Sequence, residues 1–130
     1  MGVDWTHEER TTVERGIAAH GIETGRCASL ARIVYAVAKP RDHRARGVQI
    51  LLTQSGTVWL VPKRGNGIPT WGAHTYVETQ AHAVDAITGV GGHPAETFLA
   101  DHWEFSATMR KTEVDPATID PGIQHLDEDS

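Results

Sequence analysis

The sequence predicts an α+β domain in which N-terminal helices pack on a small antiparallel sheet. Three observations carry this. Apolar residues recur at helical spacing in two segments before Pro40. Short apolar runs separated by turn residues then occupy residues 48–87. One later helical segment opens at Pro94, a residue suited to the first turn of a helix.

Taken in order, Thr6-His7-Glu8-Glu9 reads as a capping box, with the Thr6 hydroxyl and the Glu9 carboxylate each reaching a backbone N–H of the other. A helix follows to about Ala19, with Val13 and Ile17 as its spaced apolar positions, and Gly21 stops it. Thr24 or Gly25 starts a second helix carrying Leu30, Ile33, Val34 and Val37, and Pro40 ends it. Strands are expected at Val48–Thr53 and Val58–Pro62, joined by the turn at Ser55-Gly56. A loop rich in Gly, Asn and Pro spans Lys63–Gly72. A second hairpin pairs His74–Thr79 with His82–Ile87 around Gln80-Ala81. A third helix runs from Pro94 to about Trp103. Residues 1–112 form one domain, and 113–130 form an acidic, irregular tail with Pro116 and Pro121.

Composition narrows the function classes. The chain has 130 residues, 39% hydrophobic and 22% charged, which fits one globular domain with a modest core. No apolar run approaches the roughly 20 residues that span a membrane, so no membrane role is expected. The polar, acidic N-terminus does not resemble a signal peptide. The lone cysteine, Cys27, cannot form an internal disulfide. Cytoplasmic residence, or delivery as part of something larger, is the simplest expectation.

The net charge of −5 is concentrated at the C-terminus, where Glu113, Asp115, Asp120, Asp127, Glu128 and Asp129 follow Lys111, the last Lys or Arg. No basic stripe marks a nucleic-acid surface. Arg41, Arg44, Arg46, Lys63 and Arg64 read as a solvated loop surface.

The chemistry lies in Cys27, His74 and Asp85. A thiol at a helix start sits in partial positive charge beside free N–H groups, which favours the thiolate. It needs an imidazole to accept its proton, and the imidazole needs a third group to set its tautomer. The hairpin register supplies that group. With Gln80-Ala81 as a two-residue turn, Thr79 faces His82 and Tyr76 faces Asp85. His74, Tyr76, Glu78 and Asp85 then share one face, with His74 diagonal to Asp85. The Cys27 backbone N–H is the natural donor to an acyl oxyanion. Trp71, three residues before His74, can wall the cleft and shield the imidazole. Taken singly, Cys27 fits a small core residue, His74 a structural histidine and Asp85 a cap.

No metal site is expected. His82, His93 and His102 lie nearest the strands, but the chain has no Cys pair, no helical His-x-x-x-His and no His-Glu-x-x-His. Gly89–Gly92 has no following Lys-Ser/Thr and reads as a turn rather than a phosphate loop. No cofactor is implied.

Gly25-Arg26-Cys27 opening a helix, Trp71-Gly72-Ala73-His74 entering a strand and Val84-Asp85-Ala86-Ile87-Thr88-Gly89 together resemble the papain-like cysteine enzymes. The nearest likeness is to the compact papain-fold toxin domains of bacterial polymorphic toxin systems, and Gly92-His93-Pro94 and His102-Trp103 are similar to their later segment. The likeness spans roughly residues 20–105. It implies a papain-like fold with Cys27 as nucleophile, His74 as base and Asp85 as orienter. It also implies an effector domain acting on a protein or peptide-like substrate and held by a cognate inhibitor protein. One departure stands out: papain-like enzymes usually carry Gln or Asn shortly before the cysteine, and this chain has none there. Thr24, Arg26 and the later Gln49 are the side chains available in its place, Thr24 and Arg26 being the cleft candidates. The expected function is thiol-dependent attack on an amide or acyl carbonyl, of protease or deamidase type. The alternatives are a non-catalytic binding module on the same fold, and a transferase related to arylamine acetyltransferases or transglutaminases.

Overall fold

A computed structural model of the chain describes residues 2–20, 27–52, 74–103 and 109–116. Its helices are α1 (His7–His20), α2 (Cys27–Ala38) and α3 (Ala95–His102). Its strands are β1 (Arg46–Leu52), β2 (His74–Thr79), β3 (His82–Val84), β4 (His93–Pro94) and β5 (Met109–Val114). Among the described residues the strand pairs are all antiparallel, and the sheet order is β4-β3-β2-β1-β5. The protein is therefore α+β.

The capping box forms as the residues dictate. The Thr6 N–H donates to Glu9 Oε1 at 2.8 Å, and the Glu9 N–H donates to Thr6 Oγ1 at 3.1 Å. Val13 is fully buried between α1 and the rest of the core, and Ile17 packs beside it. Gly16 lets the helices approach closely, since a Cβ there would lie 3.2 Å from Leu30 Cδ1 and 3.3 Å from Ile33 Cγ2.

The two faces of the sheet carry two cores. Val77 and Val84 pack with Val13, Leu30, Ala31 and Val34 of α1 and α2. Tyr76, Ala83, Val48 and Ile50 pack with Phe98 of α3, Trp103 and Ile87. Alternation along β2 assigns its side chains to these faces in turn. Residues 74, 76 and 78 point to the α3 side, and 77 points to the α2 side.

The hairpin has the expected register, with Thr79 opposite His82, Glu78 opposite Ala83 and Val77 opposite Val84. Gln80 and Ala81 take φ of 51° and 62°, the left-handed pair of a two-residue hairpin turn, without the usual Gly or Asn. β3 is shorter than the expected His82–Ile87 and ends at Val84, because Asp85 opens a separate turn.

The irregular tail expected from Glu113 starts later than that residue. Glu113 and Val114 belong to β5, which pairs with β1 from Leu52–Met109 through Gly47–Val114. Pro116 is buried against Gly47, where a Cβ would strike the Pro116 ring, and its carbonyl accepts from Arg32 Nε at 2.8 Å. Residues 113–116 are thus part of the fold. The expected strand Val58–Pro62 lies outside the described residues, as do Thr24, Arg26, Lys63, Arg64, Trp71 and positions 117–130.

The basic loop is also less free than its composition suggests. Arg41 pairs with Glu9 at 2.6 Å, and Arg46 pairs with Glu78 at 2.7 Å. No helix among the described residues is long and apolar enough to cross a membrane.

Candidate active site

His74 begins β2 and is almost wholly enclosed, at 2% exposure. Its ring Nε2 donates to Asp85 Oδ2 at 2.7 Å, as the shared face and diagonal placement require. A carboxylate can only accept, so Nε2 carries the proton of that bond. The side chain of Cys27 also acts on the His74 ring. Burial alone pulls the His74 pKa down. The hydrogen bond to Asp85, then the influence of Cys27, outweigh burial and raise it to about 9.

Cys27 opens α2 and is 8% exposed. The Cys27-Ala28-Ser29-Leu30 start buries Cys27, Ala28 and Leu30, so packing holds the thiol in place.

Asp85 is anchored as well as paired. Its Oδ1 accepts from the Thr88 N–H at 2.8 Å, while its own N–H donates to Thr88 Oγ1 at 3.0 Å. The Gly89 N–H closes the turn onto the Asp85 carbonyl at 3.0 Å, and Gly89 has φ of +80°, a conformation that favours glycine. Asp85 is thus both cap and histidine partner, where the residues alone suggested one or the other.

Two aromatic rings flank His74. Tyr76 stacks at 5.7 Å between centroids and 20° between planes, and Trp103 lies at 5.1 Å, tilted by 45°. Burial, then the charges of Glu78 and Asp85, raise the Tyr76 phenol far above its ordinary pKa, so it stays neutral. The wall role expected of Trp71 concerns a residue outside the described set, whereas Trp103 occupies such a position. Nothing local in the sequence marks Trp103 for this, because α3 brings it back from 29 positions downstream of His74. Gln49 pairs with Thr75, one step out of phase with the His74 face.

A second histidine group sits at the far end of the hairpin. His93 Nε2 donates to Asp101 Oδ2 at 2.7 Å, and His102 Nε2 lies 3.2 Å from His93 Nδ1. The hydrogen bond from His93 holds Asp101 below its ordinary pKa. No group of three or more His, Cys, Asp or Glu side chains among the described residues is placed to hold a metal ion.

The N-terminal segment braces the loop that follows Asp85. The Val3 N–H donates to the Gly91 carbonyl at 2.9 Å, and Trp5 Nε1 donates to the Val90 carbonyl at 2.7 Å. Neither a protein-family model, nor a curated protein, nor a solved structure matches the chain.

Proposed function

We propose that the protein is a papain-like, thiol-dependent hydrolase or transferase acting on an amide or acyl carbonyl, with Cys27, His74 and Asp85 as its triad. One observation carries the reading. A buried imidazole is bound on Nε2 by an anchored carboxylate, and the side chain of Cys27 on α2 acts on the same ring. A histidine serving packing alone has no need of an anchored carboxylate and the chain's single cysteine together.

In the proposed reaction the Cys27 thiolate attacks the carbonyl carbon, and the carbonyl electron pair moves to oxygen. The oxyanion takes the Cys27 N–H as one donor. The His74 imidazolium gives its Nδ1 proton to the leaving amine, and the C–N bond breaks to leave a thioester. Water then attacks the thioester as neutral His74 accepts its proton, and the thiol is released with the acid. Asp85 keeps Nε2 protonated throughout, which directs Nδ1 to the reacting atoms. The substrate is of protein or peptide type, and the domain serves as a toxin effector with a cognate inhibitor.

The test uses p-nitrophenyl acetate as acyl donor and intact-protein mass spectrometry as readout. Acetylation of Cys27, fast in the wild type and lost in His74→Ala with the fold retained, is the expected result. The rival reading, a non-catalytic binding module, requires Cys27 to remain unmodified, or to react equally in both proteins.

A further inference from the structure

We propose that Thr88 is the positioning residue of this site, setting the direction of the Asp85 carboxylate and through it the protonation of His74. The inference rests on the Cys27–His74–Asp85 reading and extends it to a residue outside that triad.

The argument starts from what fixes a carboxylate. A carboxyl group held by one oxygen turns about its terminal torsion, which is broad and soft. The carboxylate of Asp85 is held by both. Oδ2 takes the His74 Nε2 proton, and Oδ1 takes the Thr88 N–H. Any residue at position 88 supplies an N–H, so the hydroxyl needs its own reason. Thr88 Oγ1 accepts the Asp85 N–H at 3.0 Å, and its proton lies within reach of Gly89 O at 2.9 Å and Asp85 O at 3.2 Å. Asp85 is 3% exposed, so water does not readily replace that acceptor. The hydroxyl therefore closes the turn from the side-chain end, and this closure holds the Thr88 N–H against Oδ1.

Removing the hydroxyl opens the turn, frees Oδ1 and lets the carboxylate rotate. The His74 hydrogen bond then weakens, and the raised pKa of His74 loses its main support. Thr88→Val keeps the shape and removes the acceptor. Thr88→Ser keeps the acceptor and removes only the methyl.

The experiment follows the His74 ring by NMR titration, assigned by loss of its signal in His74→Gln. It covers wild type, Thr88→Val, Thr88→Ser and Asp85→Asn, with iodoacetamide alkylation of Cys27 at pH 7 in parallel. The His74 midpoint is expected to fall in Thr88→Val, with alkylation slowed about 10-fold to 100-fold, and both are restored in Thr88→Ser. An unchanged midpoint in Thr88→Val beside a lowered one in Asp85→Asn overturns the positioning role and leaves the triad reading standing. An unchanged midpoint in both variants overturns the pairing of Asp85 with His74, and the role of Thr88 falls with it. Should Thr88→Val not fold, amide exchange in the wild type decides. Protected N–H groups at Asp85 and Thr88 support the closed turn, and exchange at the open-chain rate overturns it.

Discussion

Asp85 Oδ2 accepts from His74 Nε2 at 2.7 Å across the hairpin, so Nδ1 is the ring nitrogen this carboxylate does not hold. In the proposed triad, Nδ1 is the atom that exchanges a proton with the thiol. The anchor of Asp85 on Thr88 makes the choice of nitrogen a property of the fold rather than of a mobile side chain.

The thiol of Cys27 is expected to ionise below the ordinary cysteine range, because an imidazolium and a helix start both favour the thiolate. Iodoacetamide labelling against pH should give a midpoint between about 4 and 7, against about 8.5 for a free thiol. His74→Ala should move it up by at least about one unit. A wild-type midpoint at the free-thiol value contradicts the ion pair.

Stability should depend on pH through His74, with a sign that the raised pKa dictates. A group whose folded pKa exceeds its unfolded value stabilises fully below the unfolded value, here 6.5. That contribution is lost as pH rises through the folded value. A thiol of lowered pKa contributes with opposite slope, so the wild-type pair offsets itself in mid-range. Cys27→Ser removes the thiol titration and exposes the histidine slope. Its urea midpoint should fall as pH rises above about 6.5, and His74→Gln in the same background should abolish the fall.

Glu78 ties three strands together, being buried on β2 and paired with Arg46 of β1 and Lys111 of β5. Burial raises its pKa, but Lys111 and then Arg46 outweigh burial and hold it below 4.5. Its contribution is present above 4.5 and is lost as pH falls through the folded value. Glu78→Gln should cost about 1–3 kcal/mol at pH 7. Chemical denaturation near pH 3 should show the gap between the two proteins narrowing.

Gly47→Ala should destabilise the protein by about 1–3 kcal/mol through overpacking, because the added methyl enters the Pro116 ring. Pro116→Ala in the same chain should recover part of the loss. Additive losses in thermal melts of the double variant would show that Pro116 does not dock on Gly47.

Local rules made much of this molecule legible. The Thr6–Glu9 capping box, the spacing of Leu30 and Val34, and the Thr79–His82 register all follow from contacts within a few residues. The shared face of His74 and Asp85 is equally local, because side-chain direction in a strand has period two. β5 was not legible in this way: Arg110–Glu113 carry no buried side chain to mark a face, and the strand exists because β1 offers its backbone groups. Trp103 against His74, Pro116 on Gly47 and Val3 on Gly91 likewise join residues 29 or more positions apart. Such contacts arise when helices and strands compete for the same buried space, and no periodicity in the chain encodes the winner. The identities and shared face of His74 and Asp85 were therefore written in the sequence. Their enclosure by Tyr76 and Trp103, and the closure of Asp85 on Thr88, came from packing: an apolar surround raises the cost of any unpaired polar group and leaves the carboxylate with one arrangement that satisfies both its oxygens.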